Sequence, residues 1–268
     1  MRATHPVWAV PITMAAMFVQ VLAGTLPVTL LMDRANPLYR PLGMLGITVA
    51  SIALVYAIRH YLGRQSWSGV RLTRSWSAAW HLPAGILVGV VPMVAGNALS
   101  VALGVATWAS WEQGVAPTPP YIALAVAFVV LGQAFPEELL WRGHLFDTLS
   151  GRLSPRMVLF VVSAGFGVLH IVSQSPADSV AEKLLYVVQA TALGFACTAA
   201  RARSGAVWMA VGVHTGFHIG NMLTPTKDLR YDVQLILLTC ILFLVGLAVL
   251  PRSRTSPRPA DAALHSRV

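Results

Sequence analysis

The residues Phe135-Pro136-Glu137-Glu138-Leu139-Leu140-Trp141-Arg142-Gly143 put two adjacent carboxylates and a guanidinium inside an otherwise apolar stretch. Two further apolar stretches carry Phe166 with His170, one turn apart, and His214, His218 and Asn221, whose spacing places all three on one helical face. Hydrolysis of a peptide bond needs a base for water, a donor for the developing oxyanion and an acid for the leaving amine. Glu137, His170 and His214 offer these functions if the fold makes them converge, with His218 or Asn221 as a further donor. No serine stands in an elbow-like motif, and Cys197 and Cys240 have neither a CxxC nor a zinc-knuckle spacing. Glu138 and Arg142 read as structural. Spaced i,i+4, they form a helix ion pair that is less costly to bury than either charge alone. Glu137 points about 100° around the helix from Glu138, so the same arginine does not readily neutralise both. For Glu137 and for each histidine, a plain interhelical hydrogen bond is the alternative reading.

The elements that must position these groups are long and apolar. The 268 residues are 56% hydrophobic and 11% charged, more apolar side chain than a soluble core hides, which makes lipid the solvent for much of the chain. Roughly 20 apolar residues cross a hydrocarbon core of ~30 Å. That ruler gives spans over 7–32, 41–62, 82–107, 121–143, 157–175, 184–200, 204–224 and 232–250, an all-α polytopic membrane bundle of about eight transmembrane helices with the site inside it. The first stretch is too long for a signal-peptide core and is expected to be retained. Pro11, Pro27, Pro83, Pro92 and Pro136 predict kinks.

Eight spans put both termini on one face, where thirteen arginines fall, against five basic residues on the other. The termini are therefore expected to be cytoplasmic. Residues Arg64–Leu82 mix Trp67, Trp76 and Trp80 with Arg71 and Arg74, which suits a helix lying at headgroup depth. The tail 251–268, rich in Pro, Ser and Arg, is expected to be disordered. The expected organisation is 1–120 for N-terminal helices and interfacial segment, 121–225 for the core carrying the site, 226–250 for the last span, and 251–268 for the tail. The net charge of +9 is scattered over short loops and tails without a basic stripe, which excludes nucleic acid as the expected partner. On straight helices the site groups are not level: Glu137 lies nearer the face of the termini, His214 near the middle and His170 nearer the opposite face.

In order and spacing, Glu137-Glu138-x-x-x-Arg142, Phe166-x-x-x-His170 and His214, six residues after Trp208, resemble the CPBP intramembrane proteases. That superfamily contains the type II CAAX prenyl endopeptidases and the bacterial abortive-infection and bacteriocin-immunity proteins. The similarity covers about residues 120–225. It implies a glutamate-dependent endopeptidase that cleaves membrane-associated peptides or proteins within the bilayer, with no covalent intermediate and no metal or other cofactor. By the same resemblance, Glu137 matches the glutamate that activates water, His170 the histidine that helps hold it, and His214 the first of two oxyanion-stabilising residues. The second of these is usually Asn or Asp; here it is His218, with Asn221 one turn further along.

Alternatives stay open on the residues themselves. His214 and His218 with Glu137 or His170 can ligate zinc, although HExxH is absent. A Glu/His chain also suits a proton-coupled transporter, against which the absence of an evident repeat argues, and a non-catalytic scaffold remains a further reading. Seventeen arginines against two lysines hint at a GC-rich bacterial genome and hence a bacterial cell membrane.

Overall fold

A computed structural model of the chain describes residues 5–111 and 117–251; beyond Pro251, the expected disordered tail lies outside the described residues. Eight helices are formed among them: α1 (Pro6–Leu31), α2 (Tyr39–Gly63), α3 (Trp76–Ala102), α4 (Pro119–Ser150), α5 (Pro155–Leu169), α6 (Val180–Ser204), α7 (Val207–Leu223) and α8 (Tyr231–Val249). The only strands among the described residues, β1 (Thr107–Trp108) and β2 (Thr226–Lys227), pair antiparallel and clasp the loop after α3 to the loop after α7. The protein is a multi-pass integral membrane protein with an all-α bundle fold. Six helices, α1–α4, α6 and α8, are long and apolar enough to cross a bilayer. Leu22, Leu26, Leu30 and Leu31 on α1 and Leu87 and Val91 on α3 face outward, as a lipid-solvated bundle requires.

The two short helices matter most for the site. At 1.5 Å per residue, α5 is about 22 Å long and α7 about 26 Å, less than the ~30 Å of the hydrocarbon core. α5 starts at a Ser154 cap followed by Pro155 and stops before His170, which caps its C-terminus. His170 is thereby held at the end of a short helix within the bundle.

α4 carries the paired glutamates and is not a regular α-helix. Two π-helical stretches, Val130–Ala134 and Leu139–Leu145, flank the four residues Phe135–Glu138. In the first, the Phe135 amide bonds the Val130 carbonyl, so the next π bond would join Pro136 to Leu131. Pro136 has no N–H to give. Thr48 of α2 fills that place, its hydroxyl donating to the Leu131 carbonyl at 2.5 Å, and Ser51 donates to the Pro136 carbonyl at 3.2 Å. The proline-induced irregularity is thus stabilised from a neighbouring helix, as buried backbone in lipid demands. Bulges of this kind turn a helix relative to its own axis and recur at functional sites.

α7 is set in place by glycines. Gly85 and Gly89 on α3 face Gly212 and Gly216 on α7, two GxxxG spacings against each other. A methyl group on Gly85 would stand 2.9 Å from the Cα of Gly212, and one on Gly212 would stand 2.8 Å from the Cα of Gly85. Without a hydrophobic driving force between helices in lipid, such close backbone approach supplies the packing that holds them. Gly212→Val is expected to lower stability by about 1–3 kcal/mol, the range for overpacking a tight contact, and to shift His214 two residues away. Thermal unfolding in detergent checks the first effect; a variant melting like wild type would show that α3 and α7 are not in this contact.

The segment before α3 departs from the expected interfacial helix over Arg64–Leu82. Trp67–Val70 forms one 3-10 turn, and α3 begins only at Trp76, where the Ser75 hydroxyl accepts from the Ala78 amide at 3.1 Å. Arg64 and Arg71 bracket the turn with left-handed backbone, φ 48° and 59°, which stops helix propagation. For a residue with a Cβ that conformation costs about 1–2 kcal/mol. Trp76 and Trp80, on the first turns of α3, are exposed, whereas Trp67 packs against the core around Trp141 and Leu145.

Candidate active site

The fully buried Arg142 organises the polar interior. Its Nη1 donates to Glu138 Oε1 at 2.9 Å, its Nη2 to the Gly194 carbonyl of α6 at 2.7 Å, and its Nε to Thr198 at 3.3 Å. The guanidinium also lies over the ring of Phe166, 4.6 Å from its centre. One side chain therefore ties α4, α5 and α6 together, using the forked geometry that only arginine provides. Arg201 donates back to the Arg142 carbonyl at 3.0 Å, within the second π-helical stretch.

Glu138 takes a second bond to the same oxygen, from His214 Nδ1 at 2.9 Å. A carboxylate only accepts, so His214 carries its proton on Nδ1 and presents Nε2 elsewhere. Both residues are buried, at 0% and 1% exposure, which desolvates the whole triad of Arg142, Glu138 and His214. His218, one turn on, stacks against His214 with ring centres 5.2 Å apart.

His170 is brought to the same place by Phe166. Its Nδ1 donates to the Phe166 carbonyl at 2.9 Å, so Nε2 is the free acceptor. The His170 ring lies 4.8 Å from that of Phe166, and the His214 ring 5.9 Å from it on an edge contact. Between the two histidines the depth mismatch expected from straight helices is closed: α5 ends early, and both histidines meet one phenylalanine. Phe166 is a packing residue that touches Arg142, His170, His214 and Trp141 at once.

Glu137 sits next to this cluster without a bond to it. It is 8% exposed, and its Oε2 is buried with no hydrogen-bond partner among the described residues. A cavity of about 290 Å³ adjoins the cluster; His170, His214, His218 and Asn221 line it, as do Tyr186 and Gln189 of α6. Glu137 is not a wall residue of this cavity, whereas Gln133, four residues earlier on α4, is. Asn221 lies at an exposed position of the wall.

Four wall or anchor residues were not singled out by their spacing. Tyr186 packs edge-on against His170, 5.7 Å between ring centres. Gln189 is 3% exposed and its Nε2 is buried without a partner. Gly194 and Thr198 anchor Arg142. A glutamine and a tyrosine in the apolar run of α6 are a signal visible in the sequence, whereas the Gly194 carbonyl is not. Among the described residues, no three His, Cys, Asp or Glu side chains converge as a metal-ligand set; His214 Nδ1 is engaged by Glu138 instead.

A comparison with curated proteins gave no match. Residues 119–220 match the family model described as type II CAAX prenyl endopeptidase Rce1-like. The match runs from the start of α4 to the end of α7 and takes in Glu137, Glu138, Arg142, Phe166, His170, His214 and His218. With both the motif-bearing helices and their convergence in view, residues 119–220 of this membrane protein are similar to the Rce1-like family of proteases, in keeping with the CPBP resemblance.

Proposed function

We propose that the protein is an intramembrane endopeptidase that hydrolyses a peptide bond of a membrane-associated peptide or protein with glutamate-activated water. The observation that carries this reading is the meeting of His170 and His214 at Phe166 beside Glu137, in a region matched by a protease family. The catalytic core is taken as residues 121–225, and both termini as cytoplasmic in a bacterial cell membrane, the latter on the distribution of arginines.

Water enters as the nucleophile. His170 Nε2 accepts one of its protons in a hydrogen bond, and Glu137 removes the other as the oxygen attacks the scissile carbonyl. Glu137, whose buried Oε2 has no hydrogen-bond partner among the described residues, is the carboxylate left free for this role. Apo geometry of this kind commonly tightens only with substrate present. The developing oxyanion is held by Nε2 of His214. Because Nδ1 already donates to Glu138, an Nε2 donor requires the imidazolium form, whose charge the Glu138 carboxylate partly offsets while Arg142 balances Glu138. His218 or Asn221 supplies the second donor, and the proton on Glu137 passes to the leaving amine. No metal takes part in these steps.

Removing one oxyanion donor lowers turnover by roughly 10²–10³-fold in comparable sites. His214→Ala is therefore expected to lose about that much turnover, and His218→Asn, which restores an amide donor, to retain it. Rates on a membrane-tethered peptide test both; equal rates for His214→Ala and wild type would remove His214 from the mechanism.

A further inference from the structure

We infer that a second, non-catalytic cavity on the face of the termini binds a phosphate group, the chemistry carried by an anionic lipid headgroup. The cavity has a volume of about 340 Å³ and lies between the segment 65–71 and the end of α4. Arg59, Gln65, Ser66, Ser68, Arg71 and Asp147 line it, two guanidinium groups against one carboxylate.

Arg59 is 2% exposed and only partly satisfied. Its Nε and Nη2 donate to the Ser66 carbonyl at 3.0 and 2.5 Å, and Nη2 also meets Asp147 Oδ2 at 2.7 Å. Its Nη1 is buried with no protein acceptor among the described residues. A buried guanidinium donor without an acceptor is a costly feature unless something else accepts from it. Asp147 is already committed to Arg59, which blunts its repulsion of an incoming anion.

The remaining wall supplies further donors. The hydroxyls of Ser66 and Ser68 lie 2.6 Å apart and can turn outward together. Gln65 accepts from Thr148 through Oε1 at 3.1 Å, which leaves its amide N–H groups to donate. Arg71 is exposed and sits on left-handed backbone that glycine would adopt freely, so an arginine side chain is kept there against a conformational penalty. Gly69 lets this segment close over the ion pair: a methyl group there would collide with Asp147 Oδ2 and Arg59 Nη2. Guanidinium, hydroxyl and amide donors around one small polar cavity match the three acceptor oxygens of a phosphate. The exposed Trp76 and Trp80 on the nearby start of α3 mark headgroup depth, where lipid phosphates lie.

The site stands apart from the peptidase reading, and its test needs no substrate. Thermal unfolding of the full-length protein in a neutral detergent is measured with added phosphatidylglycerol, phosphatidylcholine or inorganic phosphate, for wild type, Arg71→Gln, the double variant Ser66→Ala/Ser68→Ala, and Arg156→Gln as a basic residue outside the cavity. Wild type and Arg156→Gln are expected to gain roughly 3 °C or more with phosphatidylglycerol, saturably, with Arg71→Gln losing at least about half of that gain. A gain with inorganic phosphate as well identifies free phosphate as a sufficient ligand; a gain with phosphatidylglycerol alone identifies the lipid. If Arg71→Gln does not fold, the double variant reads the same loss. No saturable gain in wild type, or equal gains in wild type and every folded cavity variant, overturns the proposal.

Discussion

Replacing Arg142 by alanine is expected to destabilise the protein by about 3–5 kcal/mol, the range for removing one partner of a buried ion pair. The reason is what stays behind. Glu138, at 0% exposure, would keep only His214 as a partner, and the Gly194 carbonyl and Thr198 would each lose their donor from Arg142. The stacking on Phe166, the ring that both His170 and His214 touch, would go as well. Arg142→Lys is not expected to rescue, because an ammonium cannot reach Glu138, Gly194 and Thr198 with one planar fork. Thermal or denaturant unfolding in detergent checks both variants. Alanine melting within about 2 °C of wild type would mean that the fold does not depend on this pair.

The second large effect separates activity from stability. Glu137→Gln is expected to reduce peptide cleavage by roughly 10²–10⁴-fold, the usual contribution of a general base. The same substitution is expected to leave the melting temperature unchanged or raise it. Glu137 Oε2 is a buried carboxylate oxygen with no partner, and burying a charge without compensation opposes folding. A neutral amide of the same shape relieves that penalty while losing the base. Sites that sacrifice stability for function behave in this way. Glu138→Gln gives the useful contrast: it replaces the charged acceptor shared by Arg142 and His214 with a neutral amide, leaves buried Arg142 without a counter-charge, and is expected to lower both stability and activity.

Much of this architecture is legible in the residues because lipid imposes a simple rule on helix length. The eight apolar runs become eight helices, and the i,i+4 spacing of Glu138 and Arg142 becomes the expected buried pair. The two shortest helices are where a single ruler misleads. α5 stops at Leu169 rather than continuing to 175, and that early stop keeps His170 beside Phe166. Pro136 signals an irregular α4, but not that Thr48, far away in the sequence, would donate to the carbonyl left without an amide. Long-range bonds of this sort have no local signature. The pairing of Gly85 and Gly89 on α3 with Gly212 and Gly216 on α7 emerges only in the assembled bundle. For the candidate site, type and spacing single out Glu137, His170 and His214, whereas the fact that His214 spends its Nδ1 on Glu138 depends on helix rotation and is visible only in the assembled bundle. The segment around Trp67 reads as interfacial by composition, yet left-handed Arg64 and Arg71 turn it into a cover over Arg59 and Asp147.

The central claim is that Glu137 activates water without a metal. Its most direct test is cleavage of a membrane-tethered peptide library by the purified protein, wild type against Glu137→Gln, with and without a strong chelator. Chelator-resistant cleavage by wild type and its loss in a Glu137→Gln protein that still melts like wild type is the result expected here; cleavage retained by Glu137→Gln, or abolished by the chelator in wild type, would contradict it.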